Sequence, residues 1–146
     1  MSSTHNGLVH FDQGGDSLTV ESGGQYGACG SVTFVVGSET SSAIAIDITA
    51  KKPNGEALDR KIALNFHLSE SESNGSIAAT AASGGIAAGA EGYVVETQIT
   101  GKAARVVTNE SGVLNLVVTH TAATTYYPVI TLPSGELNIG DPAVFA

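Results

Sequence analysis

The sequence predicts an all-β fold, an antiparallel β-sandwich of about seven short strands preceded by an extended amino-terminal arm. Three observations predict it. Apolar residues recur with a period of two in several runs, turn residues punctuate the chain about every ten positions, and no long stretch carries a helical period. Eighteen glycines in 146 residues suit short strands joined by tight turns.

The clearest strands come in the middle of the chain. Ile44, Ile46 and Ile48 fall on one side of the run 43–50, and Ile62, Leu64, Phe66 and Leu68 on one side of 61–68. Such alternation gives each strand one face to bury and one to wet. Lys52-Pro53-Asn54-Gly55 lies between them, so the two runs read as a hairpin. Residues 70–92 are rich in Ser, Ala and Gly and read as a long loop. Alanine permits one helical turn at 77–82, and Gly84-Gly85 stops anything longer.

Strands resume at 93–100 and 103–108, followed by a turn at Asn109-Glu110-Ser111-Gly112. Leu114, Leu116 and Val118 share one face of 113–119, and 126–132 forms the next strand before Pro133-Ser134-Gly135. Residues 137–139 and 143–145 close the chain as short edge pieces around Pro142, which cannot donate to a central ladder. The predicted division is a Gly/Ser-rich arm over 1–42 and a sandwich over 43–146. Val32-Thr33-Phe34-Val35-Val36 stays open between the two, as part of the arm or as a first strand.

Composition excludes several functions. Six basic residues stand against fourteen acidic ones, for a net charge of −8, and the basic ones are scattered. Direct contact with nucleic acid needs clustered Lys and Arg, and so does an anionic membrane surface. Neither partner is expected. The start lacks the basic and apolar regions of a secretory signal, and no apolar run approaches the ~20 residues that span a bilayer. Cys29 is the single cysteine, so an intrachain disulfide is impossible, and a small buried thiol is expected.

Catalytic and cofactor chemistry is not expected either. His5, His10, His67 and His120 lack metal-ligand spacing, and His67 and His120 are expected to face outward. Asp12, Asp16 and Glu21 form no calcium loop. Glu70 and Glu72 sit in a polar run with nothing apolar to raise a pKa, so they are expected to be ordinary ionised carboxylates. The serines occupy no Gly-x-Ser-x-Gly elbow. Of the adjacent pair Tyr126-Tyr127, one ring is expected in the core and one in solvent.

Two segments resemble bacterial and phage immunoglobulin-like domains. Ile44-Ala45-Ile46-Asp47-Ile48-Thr49-Ala50-Lys51-Lys52-Pro53-Asn54-Gly55-Glu56-Ala57-Leu58 is similar to their early strand and turn. Thr108-Asn109-Glu110-Ser111-Gly112, continuing through Val113-Leu114-Asn115-Leu116-Val117-Val118-Thr119, is similar to their later signature, and Tyr126-Tyr127-Pro128-Val129-Ile130-Thr131-Leu132 to their closing strand. Within that group, Leu64-Asn65-Phe66-His67-Leu68-Ser69-Glu70 and Gly14-Gly15-Asp16-Ser17-Leu18-Thr19-Val20-Glu21-Ser22-Gly23-Gly24 resemble stretches of tailed-bacteriophage head decoration proteins. Those stretches are often repeated, whereas Val20-Glu21-Ser22-Gly23-Gly24 is present once.

The resemblance implies an immunoglobulin-like sandwich and a non-enzymatic virion protein, a capsid decoration or cement protein. Its expected partners are the major capsid protein and neighbouring copies of itself, and its expected location is the capsid surface after synthesis in a host cytoplasm. An arm with few apolar groups per ordered residue fits ordering against a partner, in part by adding a strand to a sheet edge. Leu18, Val20, Phe34 and Val36 are the expected contact residues. The rival expectation is an adhesion or glycan-binding module on a phage tail, a fibre or a cell surface.

Overall fold

A computed structural model describes residues 29–146 and, at the level of the backbone, two short strands ahead of them. These two are β1 (Val9–Phe11) and β2 (Leu18–Val20), paired antiparallel with Val9 opposite Val20. The rest of the predicted arm before Cys29 lies outside the described residues.

Ten further strands form two antiparallel sheets. One has the order β3 (Ser31–Val36), β4 (Ala43–Lys51), β9 (Val113–Thr119), β6 (Gly85–Ala88). The other runs β11 (Leu137–Ile139), β10 (Thr124–Thr131), β5 (Ala63–Ser69), β8 (Ala103–Val107), β7 (Tyr93–Ile99), with β12 (Ala143–Phe145) also on β10. Taking β3, β4, β5, β6, β9, β10 and β11 as A to G, the sheets are ABED and CFG, the immunoglobulin constant-type order. The β7–β8 hairpin is an addition on the free side of β5. The fold is an immunoglobulin-like β-sandwich.

The core lies between the sheets where the alternation says it should. Ile44, Ile46 and Ile48 of β4 and Leu114, Leu116 and Val118 of β9 meet Leu64, Phe66 and Leu68 of β5, all nearly inaccessible to solvent. The predicted hairpin does not form, however. β4 belongs to one sheet and β5 to the other. Period two identifies the buried face of a strand but not its neighbour, and burying both faces against each other requires opposite sheets.

The crossover between them, residues 52–62, is held at both ends. Gly55, with φ +88°, closes a turn onto Lys52 O at 2.9 Å, and Leu58 N–H donates to Ala50 O at 2.9 Å. Thr108 Oγ1 accepts Ile62 N–H at 3.0 Å, and Thr108 N–H donates to Ile62 O at 3.1 Å.

The stretch read as a long loop splits in two. Residues 70–84 carry no helix; Ala78 and Ala82 are buried instead, with Ala82 N–H on Gly101 O at 2.8 Å. The second half holds β6, whose backbone pairs with β9 from Gly85↔Thr119 to Ala88↔Leu116. Small residues matter here, because a side chain on Gly84 would collide with Thr119.

The end of the chain shows why a proline is tolerated in a central strand. Pro128 of β10 pairs with Leu68 on one side. Its carbonyl accepts Gly140 N–H at 2.8 Å on the other, so its ring nitrogen also faces that side. Gly140-Asp141-Pro142 interrupt the ladder there, between β11 and β12. No donor is missed at the break.

Candidate partner-binding edges

Among the described residues of the sandwich, strand backbone is open to another strand at the sheet edges, and there are four. β3 and β6 flank one sheet; β7 and the broken β11–β12 flank the other. Val32-Thr33-Phe34-Val35-Val36, left open by the sequence, belongs to β3 and pairs with β4 in unbroken register from Ser31↔Lys51 to Val36↔Ile46. The first sheet thus begins upstream of residue 43.

The four predicted contact residues fall in two places. Leu18 and Val20 are in β2, and their side chains lie outside the description. Phe34 and Val36 are half-buried and pack on the core, so part of each side chain serves the sandwich itself. The exposed apolar member of that strand is Val35, at 66%. It stands out of phase with Val32, Phe34 and Val36, and that parity was the available signal. Further apolar exposure sits on β7, at Tyr93, Val95 and Ile99. β7 is a bulged edge, with register shifts between Val94 and Glu96 and between Thr97 and Ile99.

Asn138 is the residue that sequence reasoning missed. It sits on β11, and its Oδ1 accepts Val32 N–H at 2.8 Å, linking the two sheets at their open side. Just below, Gly140 lies against the Phe34 ring, where any side chain would collide.

A groove of about 420 Å³ opens beside Lys61, Tyr93, Asn109 and Glu110. Its polar groups are partly spent on the turn. Asn109 Oδ1 accepts Ser111 N–H and Val113 N–H, each at 2.9 Å, and its amide donates to Glu91 at 2.6 Å. The half-exposed Tyr93 ring remains as a flat apolar surface.

Two expectations about polar residues change. His120 is buried, not outward, because it continues the phase of Leu116 and Val118. Its ring stands edge-on to Tyr126 and Phe145, with Nδ1 accepting Ser83 N–H at 3.1 Å and Nε2 at 3.1 Å from Thr124 Oγ1. His67 is half-buried, with Nε2 on Gly75 O. Glu70 is not quite ordinary. It accepts Thr80 N–H at 2.9 Å, and this bond holds its carboxyl below the usual value.

Tyr126 is in the core and Tyr127 half-buried; the Tyr126 hydroxyl reaches Thr80 O at a long 3.4 Å. Burial pushes the Tyr126 phenol up, and the nearby Glu70 charge adds to it. Cys29 is buried as expected, and burial raises its thiol. Among the described residues no three His, Cys, Asp or Glu side chains come together to hold a metal.

No protein-family model, curated protein or solved structure matches this chain. The edges therefore have to speak through their own chemistry. Unpaired strand backbone flanked by apolar side chains is the element that captures another strand.

Proposed function

We propose that this chain is a non-enzymatic virion protein, a decoration or cement protein that fastens onto the head of a tailed phage. Its partners are the major capsid protein and neighbouring copies of itself. One observation carries the reading: among the described residues β3 is a sheet edge with no strand on its outer side, and it is also the element that connects residues 1–28 to the sandwich. A leader and an edge that adjoin one another can grip a subunit junction together. The sandwich behind them supplies a rigid, acidic module whose charge opposes clumping of particles.

The test is mass spectrometry of purified particles after heads and tails are separated. The expected outcome is this chain on heads, in near-stoichiometric ratio to the capsid subunit, and loss of head binding for Leu18→Asp/Val20→Asp. Recovery in the lysate alone overturns the reading.

A second reading, an adhesion or glycan-binding module on a tail, fibre or cell surface, is favoured by the half-exposed Tyr93 ring beside Lys61 and Glu110. Sugars stack on such rings. Saturable binding on a glycan array that Tyr93→Ala abolishes, with recovery on tails, supports it over the first.

A further inference from the structure

Three Asn-Gly pairs occur in the sequence, Asn6-Gly7, Asn54-Gly55 and Asn74-Gly75, and the second and third lie among the described residues. An asparagine before glycine is able to close on itself. The glycine amide nitrogen attacks the side-chain carbonyl carbon, ammonia leaves, and a five-membered imide remains. Glycine permits this because it puts no side chain in the way. The other described asparagines precede Phe66, Glu110, Leu116 and Ile139, whose side chains hinder the approach.

The fold has its own need for both members of the pair at 54–55. Gly55 holds φ +88°, a conformation that side chains resist, and Asn54 Oδ1 accepts Glu56 N–H at 3.1 Å, closing an Asx turn. That bond also polarises the carbonyl under attack and sits where negative charge gathers on its oxygen. Asn74 Oδ1 has the same help, from Ser76 N–H at 3.0 Å. Activation of the carbonyl therefore does not separate the two pairs. Room to turn does.

Ring closure swings the glycine peptide about the asparagine Cα–C bond. Gly55 is exposed, and nothing lies within 4 Å of the place a side chain would take. One hydrogen bond has to be released, from Gly55 N–H to Lys52 O. Gly75 is buried. The corresponding point there lies 3.2 Å from Leu137 Cδ1, 3.3 Å from Ile139 Cδ1 and 3.6 Å from Val129 Cγ1. Its carbonyl also holds His67 Nε2 at 2.5 Å, so turning this peptide would undo packing and a hydrogen bond together. We infer that Asn54 is a site of spontaneous self-modification, converting to aspartate and isoaspartate, while the fold protects Asn74.

The second step needs only water. Opening the imide at the former side-chain carbonyl gives aspartate. Opening it at the backbone carbonyl gives isoaspartate, in which the chain runs through the side chain and gains a methylene. Either product exchanges a neutral amide for a carboxylate and deepens the net charge of −8 by one. The longer isoaspartate backbone no longer fits a turn set by Gly55 N–H on Lys52 O, at 2.9 Å, and Lys52 N–H on Glu56 O, at 2.7 Å. That turn abuts the start of β3: a side chain on Gly30 would collide with Pro53, and Gly30 N–H donates to Lys51 O at 2.8 Å. Ageing at Asn54 thus loosens the point at which residues 1–28 join the sandwich.

Peptide mapping of the full chain, incubated in heavy-oxygen water at mildly alkaline pH under reducing conditions, tests this apart from any capsid. The expected result in the folded protein is uptake of heavy oxygen at position 54, mostly as isoaspartate, with Asn74 at least about tenfold slower. In denaturant the two sites should react at similar rates. No uptake at position 54, equal rates in the folded chain, or a gap that persists in denaturant overturns the proposal. Thiol labelling of Cys29, one residue before Gly30, provides a second reading. It should be faster in aged than in fresh protein, and the difference should vanish in Asn54→Ser, whose hydroxyl keeps a turn acceptor but has no amide to lose. Labelling that does not change with age, or that rises equally in Asn54→Ser, overturns the loosening.

Discussion

Asn138 Oδ1 accepts the Val32 N–H at 2.8 Å, and through this bond the edge strand of one sheet is tied to the edge strand of the other. A side chain thus does what a ladder neighbour would have done. Asn138→Ala should lower the unfolding free energy by about 0.5–1.5 kcal/mol, the ordinary net value of such a bond. Urea denaturation should show a lower midpoint with an unchanged slope.

Gly112 and Gly55 both have positive φ, at +75° and +88°, yet their surroundings differ. Nothing lies within 4 Å of the position a Gly55 side chain would take, whereas one on Gly112 would run into the Leu58 carbonyl. Gly55→Ala should cost about 1–2 kcal/mol of left-handed strain. Gly112→Ala should cost clearly more, because strain and overlap add. Thermal melts of the two variants side by side decide it, and equal losses would contradict the packing described.

Glu70 makes stability depend on pH in a defined direction. Its folded carboxyl titrates below its ordinary value because Thr80 N–H donates to the ionised form. The stabilisation is therefore complete above the ordinary glutamate value and is lost as pH falls through the lower, folded one. Glu70→Gln should melt below the unmodified protein at neutral pH, with the gap closing as the solution is acidified. A gap independent of pH would mean that the bond contributes nothing through charge.

Cys29 should resist thiol reagents in the folded protein. The side chain is buried, its thiol is raised by that burial, and Sγ donates to Ser31 O at 3.2 Å. Reaction with a disulfide reagent at neutral pH should be slow, and should become fast and complete in denaturant. Rapid labelling of the native chain would show that the start of β3 opens readily.

The buried faces were legible in the sequence, because Ile44, Ile46, Ile48, Leu64, Phe66, Leu68, Leu114, Leu116 and Val118 obey a simple parity. Their partners were not. Whether β4 pairs with β5 or packs across from it depends on contacts with β9 and β10, far along the chain. His120 obeyed the same parity as Val118, and the error there lay in assigning its phase. β6 was missed because Gly85-Ile86-Ala87-Ala88 has no strong strand propensity and is held by its ladder to β9. Of the candidate contact edge, the apolar run 32–36 was visible. The hand of Asn138 on the Val32 N–H required coordinates.

The crossover from β4 to β5 has a consequence for how the molecule is made. The inner strands of the two sheets, β9 and β10, are among the last to be synthesised. A nascent chain on the ribosome can therefore complete the first sheet only once residue 119 has left the exit tunnel and the second only once residue 145 has, and its isoleucine-rich strand must wait meanwhile without its β9 neighbour. Such distant pairings make for slow folding and an aggregation-exposed interval, so yield should respond to chaperone supply during synthesis more than the stability of the finished protein would suggest.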